Sequence, residues 1–457
     1  MSALSQSETP HIAILGSGGR EHALAWRVAQ DLADGRHEGS RLYAAPGNPG
    51  IRAVAECVKL DLSDNAAVVG FCREAKVGLA VVGPEQPLAD GLADDLRKAG
   101  VAVVGPGRKA AALEGDKWFC KTLLRQAAVP TADAKLLNDE DAVDRHLAQL
   151  QSNAEREAGT VTTGAKAADV GVVVKNPNLA LGKGVTVAKT LAEARAAAFE
   201  VLKQCRAEDK KPRVMIEERL EGVEASVLAL VGGRDLFVFD PCQDHKQLGA
   251  NDTGPMTGGM GAYCPTKIVD DRLLSTVERD VMIPTIEALA REDVPFHGVL
   301  YAGLMLTKRG PMVLEYNVRF GDPECQPLMM RLRGDFTGLL HAAATGTLAD
   351  LADPPHFDQR PAVCVVLASG GYPGKYTRGK VITGLDAADG DPDVEIFHAG
   401  TALHGEHTVT AGGRVLGVTA LGDDLAAARV KAYAVAEKID FEGKTVREDI
   451  AARPEAG

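Results

Sequence analysis

The sequence predicts a multidomain protein that combines the α/β and α+β classes, with a Rossmann-like domain first. Its 457 residues exceed what one hydrophobic core usually organises. Apolar runs alternate with helical segments up to about residue 115, and hairpin patterns follow from about residue 171. We therefore expect domains at residues 1–115, 116–345 and 346–457, with a mobile lid at about 125–200 in the second.

The first domain begins with the apolar run HIAIL at His11, the glycine turn GSGGR and a helical segment. Further apolar runs follow as RLYAA, VGLAVVG and VAVVG, and one helical segment, LADGLADDLRKAG, separates the last two. Short apolar strands that alternate with helices are typical of parallel βαβ units. This part of the chain therefore predicts a parallel sheet covered by helices.

The second domain shows antiparallel patterns. Its first helix lies in GDKWFCKTLLRQAAVPTA and must end before Pro130, which cannot continue a helix. Two hairpins are expected, one turning at Gly232 and Gly233 and one joining YAGLMLT to PMVLEYN. Residues 152–170 are small, polar and unpatterned, which predicts a mobile surface loop.

The last part of the chain predicts a small α+β domain. A polar connector that contains prolines follows residue 345. After it come apolar strands at AVCVVLAS, VEIFHAGTAL and RVLGVTALG, and then the helix DLAAARVKAYAVAEKI.

Composition excludes several classes of function. The net charge of -12 disfavours nucleic-acid binding as the main activity, because phosphate neutralisation needs clustered Lys and Arg. The 8 cysteines form no CxxC pair, so we expect reduced thiols. The N-terminus has no signal-peptide pattern, and no apolar run is long enough to cross a membrane. We expect a cytoplasmic protein.

Glu315 and Asn317 are candidate metal ligands. Both lie in the strand PMVLEYN, where residues two apart share a face, so two ligand oxygens point to one side. Magnesium prefers oxygen ligands and completes its shell with water or nucleotide phosphates. A solvated polar strand edge has the same spacing and remains the alternative.

Two lysines near a glycine turn predict a phosphate site. Lys175 ends the apolar run VGVVVK, and Lys183 lies between Gly182 and Gly184, which let the backbone approach a bulky anion. Lys117, at the start of the second domain, is a further candidate. Surface hairpins often carry Lys and Gly, so an ordinary hairpin is the alternative.

The segment MIEERLEGVEAS predicts nucleotide contacts. Glu217 or Glu218 could accept from an adenine amino group, Glu224 could bind ribose hydroxyls, and Leu220 lies between them. Taken alone, these carboxylates also fit a charged strand end in water.

Taken together, the motifs resemble a known family. Lysines before a glycine hairpin, an acidic strand and a late Glu-x-Asn strand occur in this order in the ATP-grasp superfamily. Within it, the runs GSGGREHAL, VVGPEQPLADGL, QDHK, NDTGPMTGGMGAY, YAGLM and RFGDPECQ resemble the phosphoribosylamine-glycine ligase family. The resemblance extends from about His11 to Ile450 and implies ATP-grasp domains in the centre of the chain.

The resemblance implies an ATP-dependent ligase of purine biosynthesis. Glycine would react with ATP to form glycyl phosphate, and 5-phosphoribosylamine would displace the phosphate. ATP would be a cosubstrate, Mg²⁺ or Mn²⁺ the cofactor, and small molecules the only partners of a monomeric, monofunctional protein. The alternatives are another ATP-grasp enzyme, such as a biotin-type carboxylase, or a non-catalytic nucleotide-binding protein.

The resemblance also assigns residues to roles. Arg319 would grip the transferring phosphoryl group, and Asp244, which also fits an ordinary loop aspartate, would hold the glycine ammonium. The implied catalytic residues are Arg319, Asp244 and Lys246; the ATP site is Lys117, Lys175, Lys183, Glu217, Glu218, Leu220 and Glu224; the metal ligands are Glu315 and Asn317; and the substrate site is Gly16, Gly18, Gly19, Arg20, Gly47, Asn48, Pro84, Glu85, Thr257, Gly258, Gly259, Asp322, Pro323 and Glu324.

The glycine turn GSGGR fits a sugar phosphate better than a dinucleotide. It follows a strand and precedes a helix, so backbone N–H groups can receive an anion. Arg20 and Glu21 stand at the closing positions, where a dinucleotide fingerprint needs glycine at residue 21. The runs PGNPG and GPEQP follow later strands, at the edge where open α/β sheets bind ligands.

Two positions depart from the family pattern. Asn178 stands in the lid turn where the family has glycine, and Gln247 follows QDHK where the family has arginine. Asn tolerates positive φ better than most residues. We expect both changes to affect the lid and substrate affinity more than the reaction.

Overall fold

The chain folds into two compact units in a computed structural model that describes residues 10–159, 171–178 and 184–452. Unit 1 contains Met1–Ala111, Ala225–Gly303 and Asn317–Gly457, and unit 2 contains Ala112–Glu224 and Leu304–Tyr316. The lid residue Lys183 and the last part of the expected 152–170 loop lie outside the described residues. The expected domain boundaries stay a prediction.

A parallel sheet forms the start of unit 1, as the alternating pattern predicts. Its strand order is β3-β2-β1-β4-β5, and each neighbouring pair is parallel. The elements are β1 His11–Gly16, α1 Gly19–Ala33, β2 Leu42–Pro46, a 3₁₀ turn Ile51–Ala53, β3 Glu56–Cys57, α2 Asn65–Glu74, β4 Val77–Val82, α3 Glu85–Ala89, α4 Leu92–Lys98, β5 Ala102–Val104 and α5 Arg108–Gly115. The expected Rossmann-like class is confirmed.

The helical segment between the last two strands of this sheet is two helices, not one. Gly91 separates α3 from α4 with φ of +86°, a left-handed conformation that interrupts a helix. Its position in LADGLADD could have marked the break, because glycine inside a helical pattern lowers helix propensity.

Unit 2 contains a four-stranded sheet, in the order β6-β9-β7-β8, together with helices. Its elements up to Glu218 are α6 Lys117–Gln126, β6 Ala134–Leu137, α7 Glu140–Gly159, β7 Val172–Lys175, β8 Val185–Ala188, α8 Leu191–Ala207 and β9 Val214–Glu218. The helix α6 ends before Pro130, as expected. The core includes Val174, Leu202 and Ile216.

The expectation of a mobile loop over residues 152–170 is wrong for its first part. Residues 152–159 belong to α7, the long helix Glu140–Gly159. Ala154, Glu155 and Arg156 have high helix propensity. Residues 152–156 are mostly exposed in this helix. Their small polar side chains meet no core, so this part of the helix shows no apolar periodicity.

A second four-stranded sheet contains both predicted hairpins. Its order is β11-β10-β16-β17, with β10 Val223–Gly232, β11 Asp235–Val238, β16 His297–Thr307 and β17 Gly310–Asn317. The first hairpin turns one residue later than predicted, because Gly232 pairs with Asp235. Gly233 then supplies the positive φ of the two-residue turn.

The rest of unit 1 is built around an antiparallel sheet with the order β12-β15-β20-β24-β21. Its strands combine distant parts of the chain, since β15 pairs with β20. The remaining elements are β12 Gln243–Asp244, β13 Gln247–Gly249, β14 Thr253–Met256, β15 Gly261–Cys264, α9 Asp271–Val277, a π turn Glu278–Met282, α10 Ile283–Arg291, α11 Cys325–Arg331, β18 Leu332–Arg333, α12 Phe336–Thr345, a 3₁₀ turn Leu348–Asp350, β19 His356–Phe357, β20 Ala362–Ala368, a 3₁₀ turn Leu385–Ala388, β21 Val394–His398, β22 Thr401–His404, β23 His407–Thr410, β24 Arg414–Leu421, α13 Leu425–Lys438 and β25 Thr445–Val446.

The run VEIFHAGTAL forms two strands rather than the one predicted. β21 pairs with β24 in the main sheet, whereas β22 turns away and pairs with β23. Gly400 lies at the break, and a Cβ there would meet Gly412 Cα at 2.5 Å. This close approach of two backbones requires glycine.

Two further features concern the expected environment. All eight cysteines are free thiols, as expected, and seven of them are buried. No helix within the described part of the chain combines the length and apolar character that a membrane crossing requires.

Candidate active site

Lys175 lies in a buried cluster of charges in unit 2. Its Nζ is 2.7 Å from Glu217 Oε2, and the other carboxylate oxygen is 3.0 Å from Nζ of Lys121. The side chains of Lys175, Glu217 and Lys121 are 6%, 2% and 3% exposed. Two ammonium groups therefore share one carboxylate away from solvent.

The sheet of unit 2 explains why these groups meet. β7 and β9 are antiparallel neighbours, so Lys175 and Glu217 are carried on adjacent strands. Lys121 comes from α6, one helical turn after Lys117. It also donates to Thr131 Oγ1 at 2.7 Å, so its ammonium is fixed from two sides.

Lys175 also lies beside the strand that carries the proposed metal ligand. Its Nζ donates to the backbone oxygen of Leu314 at 3.1 Å, one residue before Glu315. The neighbouring backbone oxygen, that of Val313, accepts from Thr131 Oγ1 at 2.7 Å. The lysine cluster and β17 are thus joined by direct hydrogen bonds.

Lys117 is the first residue of α6, and a polar cluster fixes this end of the helix. Asp116 caps the helix by accepting from the backbone N–H groups of Trp118 and Phe119 at 2.9 and 3.1 Å. The second oxygen of Asp116 pairs with Arg213 at 2.9 Å. Arg213 also donates to Asn178 Oδ1 at 2.7 Å.

The acidic segment that begins at the end of β9 contains residues in different environments. Glu217 is buried between the two lysines, whereas Glu218 is exposed and pairs with Arg309 at 2.6 Å. Leu220 packs with Ala132 and Met312 in a small apolar cluster. Glu217 is therefore placed to orient Lys175, while Glu218 remains accessible to a ligand.

Glu315 and Asn317 are both half-buried in β17. Asn317 Oδ1 accepts from Arg319 Nη2 at 3.0 Å. In the described ranges, no cluster of three or more His, Cys, Asp or Glu is arranged to hold a metal ion. A carboxylate and an amide oxygen still suit Mg²⁺ or Mn²⁺ when nucleotide phosphates supply the remaining ligands.

Arg319 faces Glu85 within unit 1. Its Nε lies 3.4 Å from Glu85 Oε2, and both side chains are largely buried. Burial raises the pKa of Glu85, but Arg319 and Arg20 outweigh it, so the pKa lies below its usual value. Glu85 thus stays ionised and holds the guanidinium near the start of α3.

The start of α1 differs from the expected anion site. The Glu21 carboxylate turns back and accepts from Gly18 N at 2.5 Å and from Arg20 Nε at 2.6 Å. A Cβ on Gly16 would lie 2.4 Å from Glu21 Cγ, so glycine there leaves room for this carboxylate. One amide of the turn is therefore already satisfied, which leaves a smaller set of donors for a phosphate than the sequence suggested.

Asn48 fixes the PGNPG turn. Its amide donates to the backbone oxygens of Ser17 and His398 at 2.9 and 2.8 Å and accepts from Ile51 N at 2.9 Å. Gly47 has φ of +69°, and a Cβ there would meet Cys57 Sγ at 2.5 Å. Pro84 precedes the first residue of α3, Glu85.

The run TGGMGA forms a loop next to the QDHK segment up to Met260 and then enters β15. The backbone oxygen of Lys246 accepts from both N and Oγ1 of Thr257, at 2.8 and 2.7 Å. Asp244 pairs with Ala262 across β12 and β15. This pairing places Asp244 and Lys246 beside the loop that carries Gly258 and Gly259.

The RFGDPE run supplies two acidic side chains in unit 1. Asp322 accepts from Gln326 at 2.9 Å and pairs with Arg414 at 3.2 Å. Burial raises the pKa of Asp322, but Arg414 and Arg20 hold it below the usual value. Glu324 accepts a hydrogen bond from the hydroxyl of Tyr301, which Ser226 contacts at 2.8 Å.

Sequence reasoning missed several residues in these clusters, among them Lys121, Tyr301 and Arg414. Lys121 lies four positions after Lys117, and Tyr301 begins the YAGLM run, so both had a local signal. Arg414 had none, because more than ninety residues separate it from Asp322. Only the pairing of distant strands brings it to the site.

Three family models match the chain in succession. They are the phosphoribosylglycinamide synthetase N domain over residues 10–114, the ATP-grasp (A) domain over residues 115–325 and the C domain over residues 362–453.

Curated relatives are similar over nearly the whole chain. The phosphoribosylamine–glycine ligase of Rhodopirellula baltica is 46% identical over 440 residues, which cover 96% of this chain and 97% of the relative. The ligase of the same name from Mesorhizobium japonicum is 45% identical, with the same coverage of 96% and 97%.

Solved structures are similar as well. The phosphoribosylamine–glycine ligase of Thermotoga maritima aligns with a TM-score of 0.78 and 30% identity, over 96% of this chain and 100% of that chain. The biotin carboxylase domain of the Hydrogenobacter thermophilus 2-oxoglutarate carboxylase aligns with a TM-score of 0.67 and 14% identity, over 96% and 92% of the two chains. At that identity the second likeness shows the fold alone.

Proposed function

The chain belongs to the phosphoribosylglycinamide synthetase family, and from this we propose how its residues join glycine to 5-phosphoribosylamine with ATP. The products are glycinamide ribonucleotide, ADP and phosphate, so the protein is a carbon–nitrogen ligase of purine biosynthesis. The family expected from the sequence motifs is confirmed. The assignment of residues to roles is our proposal.

One observation supports the residue assignments most strongly. Three motifs that are far apart in sequence meet in unit 1: the start of α1, the glycine loop at Gly258 and the turn at Asp322. A Cβ on Gly18 would lie 3.6 Å from Asp322 Oδ2. We assign this convergence to the binding of 5-phosphoribosylamine and glycine.

Activation of glycine is the first step of the proposed reaction. A glycine carboxylate oxygen attacks the γ-phosphorus of ATP, the bond to the β-phosphate oxygen breaks, and ADP leaves. Lys117 and Lys175 hold the phosphates, because their ammonium groups can meet the charge on the phosphate oxygens. Arg319 grips the transferred phosphoryl group through its planar fork.

Amide formation is the second step. The amine nitrogen of 5-phosphoribosylamine attacks the carbonyl carbon of glycyl phosphate, the nitrogen loses a proton, and inorganic phosphate leaves. Asp244 and Glu324 hold the glycine ammonium, with Lys246 and the glycine loop around the substrate. Positioning and electrostatics supply the rate, since the step needs no covalent nucleophile from the protein.

A divalent ion, Mg²⁺ or Mn²⁺, would be held by Glu315 and Asn317. When bound, the ion supplies positive charge that neutralises the phosphate oxygens. The contact between Asn317 and Arg319 orients the amide oxygen for this role.

The nucleotide base and ribose would use the acidic segment that begins at the end of β9. Glu218 and the backbone beside it accept from the adenine amino group, Leu220 provides an apolar surface, and Glu224 binds the ribose hydroxyls.

We place the protein in the cytoplasm as a monomer that handles small molecules only. Its net charge of -12 and its eight free cysteines support this placement.

The test of this function is a phosphate-release assay with the purified protein. We expect phosphate from ATP only when glycine and 5-phosphoribosylamine are both present, and mass spectrometry should then show glycinamide ribonucleotide. Equal ATP hydrolysis without either substrate would contradict the ligase. Phosphate release that depends on bicarbonate instead would indicate a carboxylase.

A further inference from the structure

Arg414, the first residue of β24, touches two parts of the proposed substrate site at once. Its Nη1 donates to the backbone oxygens of Gly258 and Asp322, both at 2.5 Å. Its Nη2 lies 3.2 Å from Asp322 Oδ2. A single guanidinium therefore connects the glycine loop to the turn of the RFGDPE run.

The loop and the turn are also packed closely against each other. Gly259 has φ of +112°, and a Cβ there would lie 2.5 Å from Pro323 Cδ. A Cβ on Gly258 would lie 3.1 Å from Arg414 Cζ. A side chain at Gly259 would therefore clash with the turn, so the close packing of loop and turn requires glycine there.

Tyr372 supports the same loop from the other side. Its hydroxyl accepts from Gly258 N at 2.9 Å, while Arg414 binds Gly258 O. The Tyr372 ring lies against Gly413, where a Cβ would approach Cδ2 to 2.3 Å. Tyr372 thus binds the backbone N–H of Gly258, and Arg414 binds its backbone oxygen.

We propose that Arg414 is a positioning residue for the substrate site, which holds the glycine loop and Asp322 in one arrangement. The proposal rests on the proposed function. Arg414 acts through Gly258 and Asp322, because the contacts of its Nη1 and Nη2 go to these protein groups. Bidentate contacts of this kind fix geometry as well as charge, and lysine cannot reproduce them.

The charge of Asp322 supports this role. Its carboxylate lies close to the start of α1, and Arg414 is the main group that holds its pKa down against burial. Arg20, Gln326 and Arg319 lower the pKa of Asp322 as well, whereas Arg414 is the group that binds both its carboxylate and its backbone oxygen. The expected defect is in the placement of Asp322 rather than in its ionisation.

The test compares Arg414→Met, Arg414→Lys and Tyr372→Phe with wild type. We expect the KM values for glycine and 5-phosphoribosylamine to rise about tenfold or more in Arg414→Met, since hydrogen bonds to a charged group are lost. The KM for ATP should stay within about twofold. Arg414→Lys should recover only part of the loss, and Tyr372→Phe should shift the same two constants by about threefold.

Arg429→Met is the matched control. Arg429 also binds backbone oxygens in unit 1, those of Ile450 and Glu448 at 3.0 and 2.7 Å, but it contacts no residue assigned to the site. The Arg429→Met substitution should lower the melting temperature and leave the KM values for glycine, 5-phosphoribosylamine and ATP unchanged. If Arg414→Met does not fold, Arg414→Lys and Tyr372→Phe decide the question.

Two results would overturn the proposal. One is an Arg414 variant whose KM values match those of Arg429→Met, and the other is an equal rise in all three KM values. Failure of the proposed function is distinguishable, because wild-type protein would then release phosphate without dependence on glycine and 5-phosphoribosylamine.

Discussion

Nζ of Lys175 lies 2.7 Å from Oε2 of Glu217, and this ion pair is buried in unit 2. Lys121 binds the other oxygen of the same carboxylate, so two positive charges share one negative charge. Burying an ion is unfavourable unless it is well paired, and here two ammonium groups share the carboxylate of Glu217. A phosphate would be a second anionic partner for Lys175, which supports its assignment to ATP rather than to the fold alone.

The first prediction concerns Lys175→Met. Glu217 keeps its pair with Lys121 in this variant, so the melting temperature should change little. The KM for ATP should rise roughly 10- to 100-fold, because a charge-assisted contact to phosphate is lost. Steady-state kinetics and thermal unfolding with and without ATP measure both effects.

Lys210→Met is the control for this charge removal. Lys210 is exposed and pairs with nearby Glu208 at 2.7 Å, so its removal should leave the KM for ATP unchanged. An unchanged KM for ATP in Lys175→Met as well would remove this lysine from the nucleotide site.

The second prediction concerns Glu315→Gln. The substitution keeps the size of the side chain and removes the charge that would hold the divalent ion. We expect turnover to be lost at ordinary Mg²⁺ concentration, with partial recovery at higher Mg²⁺ or Mn²⁺. The melting temperature without ligands should match that of the exposed control Glu200→Gln. Wild-type turnover in Glu315→Gln would show that the metal assignment is wrong.

The sequence predicted the local elements of the fold better than their partners. The β1–α1 unit, the hairpin β16–β17 and the helix α13 follow from periodicity and turn residues within each segment. The pairing of β15 with β20 joins strands about a hundred residues apart. Periodicity carries no information about such a pair, so the antiparallel sheet of unit 1 could not be assembled from the sequence.

In the candidate site, too, single residues could be predicted from their local sequence but their contacts could not. Lys175 and Glu315 could be proposed from their own strands, and the structure places Lys175 against the residue before Glu315. The role of Glu217 could not be read from the sequence, because a buried carboxylate between two lysines and an exposed one at a strand end have the same local pattern. Burial, which separates Glu217 from Glu218, is a property of the folded sheet.

The third prediction concerns Asn178, the departure in the lid turn. Its side chain accepts from Arg213 at 2.7 Å and donates to Asn176 Oδ1 at 3.1 Å, which ties the end of β7 to Arg213, the residue that pairs with the α6 cap Asp116. Asn178→Gly should loosen this tie. We expect faster hydrogen–deuterium exchange over residues 172–178 and a KM for ATP that rises roughly threefold to tenfold.

The strand β6 serves as the internal reference for that experiment, since it pairs with β9, whereas the Asn178 side chain bonds Asn176 and Arg213. Its exchange should be the same in both proteins. Equal exchange over residues 172–178 would mean that Asn178 contributes nothing to the order of this turn.

The fourth prediction uses His22, which is buried in unit 1 and accepts from His398 N at 2.7 Å through Nδ1. Burial and then the neighbouring His398 lower its pKa from 6.5 to about 3. The folded protein therefore keeps His22 neutral at a pH where the unfolded chain has already bound a proton. Its contribution to stability is complete above pH 6.5 and is lost as the pH falls from 6.5 towards 3.

His22→Asn keeps an acceptor at this position but removes the titration. We expect the wild-type free energy of unfolding to fall more steeply between pH 6.5 and 4 than that of the variant, by up to about 1.4 kcal/mol per pH unit for one proton. Urea unfolding at several pH values measures the slopes, and His404→Asn, at an exposed position, should follow wild type. Parallel curves for wild type and His22→Asn would show that another group causes the acid sensitivity, because only a residue that titrates differently in the folded and unfolded states can change the slope.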